Sequence, residues 1–354
     1  MFLALNEIKE NKLRFTLIIG VLMLVSYLVF FLSGLATGLE NLNRESVDKW
    51  KATAIVLTEE SDKSLYQSSL SIENVKDIDG KEIAVLGQIS AIAGNGEQKA
   101  NVSIFGVNKD EFIMPEVKEG NVFQKENEVI ASDALKDDGF KLGDTLQLSS
   151  SEEVLTIVGF TDQARFNAAP VLYGDLPTFH RVKFGEAADE NKESINGIVV
   201  RDDNSNISTI DGLESIEIET FIRSLPGYTE QSLTLNFMIY FLFAISAVIV
   251  AIFLYVLTVQ KISMFGVMKA QGISNLYLSK SVVAQTFLLA AIGVIVGLGL
   301  TLLTGAFLPS AVPVSFNLAT MAIYGLVLIV VAILGALFSV LTIVKIDPLK
   351  AIGG

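Results

Sequence analysis

Long stretches without a single charged residue alternate with charge-rich segments along this chain. No Asp, Glu, Lys or Arg occurs in residues 15–39, 231–260 or 281–344. About 20 helical residues cross a hydrocarbon core of about 30 Å, so each stretch is long enough for a membrane span. The last stretch would be a rod of roughly 96 Å as one helix, so it must fold back. Pro309 and Pro313 predict the break.

The pattern predicts four transmembrane helices, at residues 15–38, 233–259, 281–307 and 319–343. Buried helices of a large soluble protein are the main alternative, but such helices carry charged faces that these stretches lack. A secretory signal peptide is the alternative for the first stretch. The apolar core of a signal peptide spans only about 7–15 residues, which is much shorter than this stretch, and residues 34–38 form a poor cleavage site. The membrane helix is therefore favoured.

The segment between the first two predicted helices, residues 39–232, has the pattern of a mixed α/β domain. Runs rich in β-branched residues predict strands at 53–57, 100–107, 154–160 and 197–200. Short helices are predicted near 62–70, 133–138, 175–183 and 206–212. Within 128–148 we expect a strand, a capped helix, a glycine turn and a second strand. The Gly94-Asn95-Gly96 turn predicts a hairpin, and a boundary between two parts of the domain is expected within 80–98.

Basic residues in the short segments predict the orientation in the membrane. The amphipathic N-terminus (1–14), the loop 260–280 and the tail 344–354 carry 8 of the 26 Lys and Arg residues but only 3 of the 39 Asp and Glu residues. The short loop 308–318 carries no Lys or Arg. The positive-inside rule therefore places both termini in the cytoplasm and residues 39–232 outside. The predicted fold class is an α-helical membrane protein with four transmembrane helices plus a mixed α/β extracytoplasmic domain inserted between helices 1 and 2.

The remaining charges lie outside and exclude one class of partner. The external domain has 18 basic against 36 acidic residues, a net charge of −18. This surplus excludes nucleic acid as a partner and is typical of a solvated domain. The sequence has no Cys and one His, His180, which we expect at the surface of a short helix. Without phosphate-loop, zinc-site or serine-hydrolase motifs, the chain is predicted to be no enzyme and to hold no metal or cofactor of its own.

Small residues spaced four apart suggest close helix packing at two places. Gly34 and Gly38 lie at the outer end of the first predicted helix and are a candidate seam between two copies of the chain. Packing within one subunit explains this pair equally well. Gly293 and Gly297, in the third predicted helix, favour packing within the subunit.

The loop between the second and third predicted helices is predicted to contain a short amphipathic helix. It would turn its apolar residues to the membrane or to a partner, and Lys261 and Lys269 to water. These apolar residues are Ile262, Phe265, Val267, Met268 and Ile273. The segment reads K-x-x-x-x-G-x-x-K-A-x-G over 261–272, and the chain ends in Asp347-Pro348-x-x-Ala351-Ile352-Gly-Gly.

Both motifs, with the order of spans and external domain, resemble the FtsX/MacB superfamily of type VII ABC transporter permeases. The resemblance implies that a cytoplasmic ABC ATPase subunit binds the ATP, that two permease copies pair, and that ATP-driven closure is passed to the external domains. It also implies that the coupling helix seats in a groove of the ATPase. The residues concerned would be Ile262, Phe265, Gly266, Met268 and Lys269.

Within the superfamily the layout is most similar to the haem-efflux permeases of Gram-positive bacteria, which makes haem a candidate substrate. The stretches 128–148 and 253–263 and the ending Gly353-Gly354 carry this likeness. A flat, apolar, dianionic ring suits a lateral opening at the outer leaflet. The candidate ligand residues at that depth are Glu40, Met238, Tyr240 and Tyr228. Two other roles stay open: a non-transporting transmitter that activates cell-wall hydrolysis, and a lipoprotein-release or antimicrobial-peptide defence permease.

Overall fold

The computed structural model describes residues 12–78, 80–202, 211–309 and 312–345. The chain divides into two compact units. The membrane unit combines residues up to Gly38 with those from Ser232 onward, and the external unit is Leu39–Gln231. Most of the predicted N-terminal segment 1–14, the predicted helix near 206–212 and the Asp-Pro motif of the tail 344–354 lie outside the described residues.

The helices are α1 (Lys12–Trp50), α2 (Ala134–Asp137), α3 (Leu176–Phe184), α4 (Ile218–Ser224), α5 (Tyr228–Gln260), α6 (Ile262–Ala270), α7 (Asn275–Phe307) and α8 (Leu318–Val344). The strands are β1 (Ala54–Thr58), β2 (Leu70–Ser71), β3 (Glu82–Asn95), β4 (Gln98–Gly106), β5 (Val117–Gly120), β6 (Glu128–Ser132), β7 (Thr145–Leu148), β8 (Val154–Thr161), β9 (Arg165–Phe166), β10 (Ala169–Gly174), β11 (Ser194–Ile195), β12 (Gly197–Arg201) and β13 (Leu213–Glu217).

Four helices among the described residues, α1, α5, α7 and α8, are long and apolar enough to cross a membrane. The predicted four-helix architecture, with a mixed α/β domain between the first two, is confirmed. The helices are longer than the predicted spans. In particular, α1 continues through polar sequence to Trp50, and α5 already begins at Tyr228.

The four long helices share a buried apolar core in the membrane unit. Leu22 of α1, Leu254 of α5, Leu289 of α7 and Ala332 of α8 belong to one cluster of buried side chains. A Cβ added at Gly293 or Gly297 would lie 2.7 Å from the Cβ of Leu22 or of Ser26, respectively. The two glycines therefore let α7 pack closely on α1, as predicted for this pair.

The external unit is built on a mixed sheet. Its order among the described strands is β13-β1-β12-β3-β4-β10-β6-β8-β5, with β7 and β9 pairing at its side. Neighbours are antiparallel except for β4 with β10 and β6 with β8, which are parallel. The four predicted strands and the strand–helix–strand unit within 128–148 are present. The helix predicted near 62–70 is wrong, because this segment forms turns that lead into β2.

The predicted hairpin is present, but the predicted boundary within 80–98 is wrong. Strands β3 and β4 pair from Gly87–Gly106 to Asn95–Gln98, and Gly96 has the positive φ of +65° that the tight turn requires. Strand β3 pairs with β12 over its first half and with β4 beyond it. Because this one strand runs through the middle of the sheet, it joins the two parts that we expected to be separate.

The main core of the external unit gathers aromatic side chains from the sheet and from the helices at its ends. Phe105 lies edge-on to Phe166 and to Tyr173, with ring centroids 5.4 and 5.7 Å apart. Trp50, at the end of α1, and Phe221 of α4 complete this cluster. Burial of these large side chains explains why α1 remains helical after its apolar stretch has ended.

The single histidine is buried and not exposed as predicted. His180 lies on α3 with 4 % of its surface accessible, and its Nε2 lies 2.8 Å from the carbonyl oxygen of Ser194. Its ring packs beside Phe179 and Phe184. This histidine is therefore a core residue with a backbone partner.

Candidate functional site

The short helix α6 lies against the ends of α7 and α8. Phe265 and Gly266 are buried, and Phe265 packs with Leu278 and Val282 of α7 and Ile343 of α8. Met268 and Ile273 are half-buried against the same cluster, and Ile262 is half-buried as well. The side chains predicted to face a partner, Phe265 and Met268 above all, are thus held inside the subunit.

Lys269 joins α6 to the last turn of α8, so this half-buried side chain is not turned wholly to water as predicted. Its Nζ donates to the carbonyl oxygens of Ile343 and Val344, at 2.7 and 3.2 Å. The last carbonyls of a helix have no partner in the helix and carry partial negative charge, which a lysine side chain neutralises. Lys261 also has a partner, since its Nζ lies 5.9 Å from the centre of the Phe15 ring.

Of the apolar residues predicted to face the membrane or a partner, Val267 alone is exposed on α6. Ser263, Met264, Val267 and Ala270 are exposed, with 40 % of Met264 and 42 % of Val267 accessible. Their spacing of three to four residues places them along one side of the helix. Of this outer stripe (Ser263, Met264, Val267, Ala270), the sequence pattern had indicated only Val267, because apolar residues occur on every side of this nine-residue helix.

The candidate seam at Gly34 and Gly38 is occupied by the chain itself. A Cβ added at Gly34 would lie 2.5 Å from the ring of Phe316, and one added at Gly38 would collide with the carbonyl of Pro313. The backbone N–H of Ser315 also donates to the Gly34 carbonyl, at 3.0 Å. Of the two interpretations of this pair, the structure supports packing within one subunit.

The four candidate ligand residues differ in how accessible they are. Tyr228 is buried, with 8 % of its surface accessible, and its hydroxyl oxygen accepts a hydrogen bond from Arg44 Nη1 at 3.1 Å. This burial and this hydrogen bond argue against Tyr228 as a ligand. Glu40 is half-buried on α1 in the external unit. Met238 and Tyr240 on α5 are 50 % and 61 % exposed.

Met238 and Tyr240 are accessible, but they do not share a face. Two residues along an α-helix correspond to a rotation of roughly 200°. Within one subunit, a ring-shaped ligand cannot contact both side chains. If it contacts Met238, Tyr240 lies on the opposite side of α5. The structure thus does not bring the predicted ligand residues of α5 together.

A shallow acidic depression in the external unit contains polar groups that the sequence did not single out. It has a volume of about 510 Å³ and is lined by Glu45, Asp48, Lys49, Asp133 and Asp162, among others. Burial raises the pKa of Glu45, against the charges of Arg165 and Lys49. Burial, and next the charge of Asp162, raises the pKa of Asp133. The described residues contain no group of three or more side chains placed to hold a metal ion.

Comparison with known proteins places this arrangement in a family. The MacB-like periplasmic core domain matches residues 15–211, which is more than half of the chain, and the FtsX-like permease C-terminal domain matches residues 236–348. The chain belongs to the MacB/FtsX-like family of ABC transporter permeases. The permease is accordingly a membrane protein, and its family implies an ATPase partner.

Relatives match this permease over its full length. Proteins assigned as hemin transport system permease HrtB in Staphylococcus haemolyticus and Staphylococcus epidermidis are 26 % and 27 % identical to it, over 100 % of this chain and 99 % of theirs. An uncharacterised ABC transporter permease of Mycobacterium tuberculosis is 25 % identical over the same shares. The extracellular domain of the ABC-type transporter YknZ is 16 % identical, with a TM-score of 0.33, over 44 % of this chain and 85 % of that one.

Proposed function

We propose that this permease is the membrane subunit of an ATP-driven efflux complex that removes haem or another amphiphile from the outer leaflet. Two copies pair with two cytoplasmic ATPase subunits, which bind and hydrolyse ATP. Closure of the ATPases is passed through the membrane helices to the external domains. In this proposal ATP hydrolysis takes place on the ATPase subunits, and the permease needs no catalytic residue or metal of its own.

The observation that supports this proposal is the packing of α6 against α7 and α8. Phe265 and Lys269 anchor α6 to the ends of α7 and α8, and the outer stripe is left exposed. A short helix held rigidly on two membrane helices can transmit a push from a partner, whereas a flexible loop cannot. We therefore assign docking of the ATPase to the outer stripe and anchoring to Phe265, Gly266, Met268 and Lys269.

Docking on the outer stripe is tested by placing a charge there. We expect Val267→Glu to reduce the amount of ATPase that co-purifies with the permease at least tenfold, because the carboxylate would be desolvated in the contact. Leu142→Glu is the matched control, since Leu142 is 45 % exposed but lies in the external unit. Undiminished co-purification with Val267→Glu would contradict the assignment.

The support for haem comes from the assigned role of the staphylococcal relatives and from the exposed residues of α5. A thioether or a phenolate can each serve as an axial ligand of haem iron. Because Met238 and Tyr240 lie on different faces, we expect one of them, and not both, to contact the ring within a subunit. Glu40 stays a candidate in the external unit.

The ligand assignment is tested by the visible spectrum of the purified permease with haemin. We expect haemin to give a shifted Soret band. One of the two variants, Met238→Leu or Tyr240→Phe, should abolish this shift, and the other should leave it unchanged. Tyr255→Phe is the control, because Tyr255 lies on the same helix and is 49 % exposed. A band that neither variant changes would remove both residues from the site, and an unshifted band would argue for another amphiphile.

A further inference from the structure

We propose that Arg44 is a positioning residue for transport, which locks the external end of α1 to α4 and to the first residue of α5. The proposal rests on the function proposed above. Helices α1 and α5 both run from the external unit into the membrane sequence, so a lock between them inside the external unit makes the domain follow both helices as one body.

One guanidinium holds three partners from separate parts of the chain. Its Nε donates to both carboxylate oxygens of Asp48, at 3.0 and 2.9 Å. Its Nη2 donates to Asp48 Oδ1 and to Glu219 Oε1, at 2.8 and 2.6 Å. Its Nη1 donates to the Tyr228 hydroxyl at 3.1 Å, with a longer contact of 3.4 Å to Glu219 Oε2.

The planar fork of an arginine is suited to this position. It offers five N–H donors in fixed directions, whereas a lysine offers a point charge. Burial lowers the pKa of Arg44, but its hydrogen bonds to Asp48, Glu219 and Tyr228 outweigh this effect and raise the pKa above its ordinary value. The side chain is therefore a permanent cation at every physiological pH.

The magnitudes favour a geometric role over a stabilising one. The carboxylates of Asp48 and Glu219 are 45 % and 50 % exposed, and ion pairs at such exposure contribute little to folding. The stability of this region comes from the apolar cluster beneath, to which Val47, Trp50, Phe221 and Tyr228 belong. What Arg44 adds is a fixed direction between α1, α4 and the start of α5.

Other contacts attach α1 to the sheet but not to α5. The backbone N–H groups of Asn167 and Ala168 donate to the carbonyls of Asn43 and Leu42, at 3.2 and 2.9 Å. Lys49 Nζ donates to the carbonyl of Asp162 at 2.9 Å. These contacts would keep α1 on the domain if Arg44 were changed, so loss of the lock is separable from loss of the fold.

The experiment follows the external domain directly. The chain has no cysteine, so Tyr66→Cys, at a position that is 68 % exposed, can carry a single environment-sensitive fluorophore. The labelled permease, in complex with the ATPase that co-purifies with it, is placed in lipid nanodiscs. Both the change in emission on adding ATP and the rate of ATP hydrolysis are measured. We expect Arg44→Met to reduce the emission change at least fivefold while hydrolysis stays within twofold.

Two further variants make the result decisive. Arg181→Met is the matched control, because Arg181 pairs with Glu126 at 2.8 Å in the same domain but joins neither α1 nor α5. Glu219→Gln leaves the pair between Arg44 and Asp48 intact and should reduce the emission change at least threefold. Intact folding is checked by the fluorescence of Trp50, the single tryptophan, which is buried in the domain core.

The outcomes separate this proposal from the function on which it rests. If Arg44→Met and Glu219→Gln respond to ATP as fully as Arg181→Met, the lock is overturned and the transport function stands. If hydrolysis falls in parallel with the emission change, Arg44 acts on assembly and the lock is again overturned. If the parent Tyr66→Cys protein shows no response to ATP, the proposed transmission fails and the lock fails with it.

Discussion

Ala168 is held in a backbone conformation that costs the protein stability. The two-residue loop between β9 and β10 has positive φ at both positions, 49° at Asn167 and 65° at Ala168. Asn tolerates this region, but a left-handed conformation costs an ordinary L-residue about 1–2 kcal/mol. Glycine would remove that cost and lose about 0.5–1 kcal/mol through the entropy of the unfolded chain.

We therefore expect Ala168→Gly to raise the free energy of unfolding of the external unit by about 0.5–1 kcal/mol. The change is measured by denaturant titration followed through Trp50 fluorescence. Asn167→Gly is the control and should bring no comparable gain, because Asn already suits its φ. If both variants raise the free energy of unfolding equally, the gain does not come from relief of strain at Ala168.

We expect the stability of the external unit to depend on pH through Glu111. Burial raises the pKa of this carboxyl, although Asn108 Nδ2 and the backbone N–H of Val85 donate to it at 2.8 and 2.9 Å. A carboxyl whose pKa is raised on folding binds more protons folded than unfolded. Its contribution is thus complete below its unfolded pKa of about 4.5 and is lost as the pH rises through its folded pKa.

Glu111→Gln should accordingly flatten the fall in stability as the pH rises from about 4.5 toward neutral, because the amide does not titrate. The melting temperature by Trp50 fluorescence is compared with that of Glu97→Gln, which removes a carboxyl from the exposed β3–β4 turn. If Glu111→Gln and Glu97→Gln give the same slope as the unchanged protein, burial of Glu111 does not govern the pH dependence.

At the scale of elements, the anchoring of α6 depends on Lys269. Removal of its ammonium leaves the carbonyls of Ile343 and Val344 without their charged donor. Hydrogen bonds to a charged group contribute about 1.5–3 kcal/mol, and 1.4 kcal/mol corresponds to about a factor of ten in an equilibrium. We expect Lys269→Met to raise the rates of amide hydrogen exchange in α6 at least tenfold.

The control for this prediction is Lys280→Met, because Lys280 is exposed on α7. This variant removes the same charge from the same segment, 260–280, but leaves the hydrogen bonds to the end of α8 in place. Faster exchange in both variants would mean that net charge, and not the cap on α8, holds α6 in place.

Elements differed in how well the sequence predicted them. The four spans were predictable because an uncharged stretch of more than 20 residues has few other stable states in water or lipid. The ends of these helices were not predictable, because hydropathy indicates which residues lie in lipid and not where a helix ends. The polar end of α1 stays helical because Trp50 is buried. Strand β3 was predicted only at its hairpin turn, since its Gly and Ala residues give a weak β signal, although it lies in the middle of the sheet.

The candidate site was less predictable, for a reason that holds for the whole molecule. Arg44 and Glu219 are 175 positions apart in sequence, and no local pattern links them. Tyr228 was judged from its depth alone, and a partner so distant could not be anticipated. The motif of α6 located the right segment, but only the packing of α7 and α8 showed which of its residues face inward.

The orientation of the whole molecule in the membrane rests on its basic residues, and it can be tested without disturbing native thiols. Tyr66→Cys lies on the external unit, and Met264→Cys lies on the outer stripe of α6, at a position that is 40 % exposed. Because lysines flank α6 and the short loop 308–318 carries no Lys or Arg, we expect a membrane-impermeant maleimide to label Tyr66→Cys in intact cells. Met264→Cys should react only after permeabilisation. If the two variants react from the same side of intact cells, the chain does not alternate across the bilayer as proposed, and neither docking of an ATPase on α6 nor transmission through Arg44 can hold.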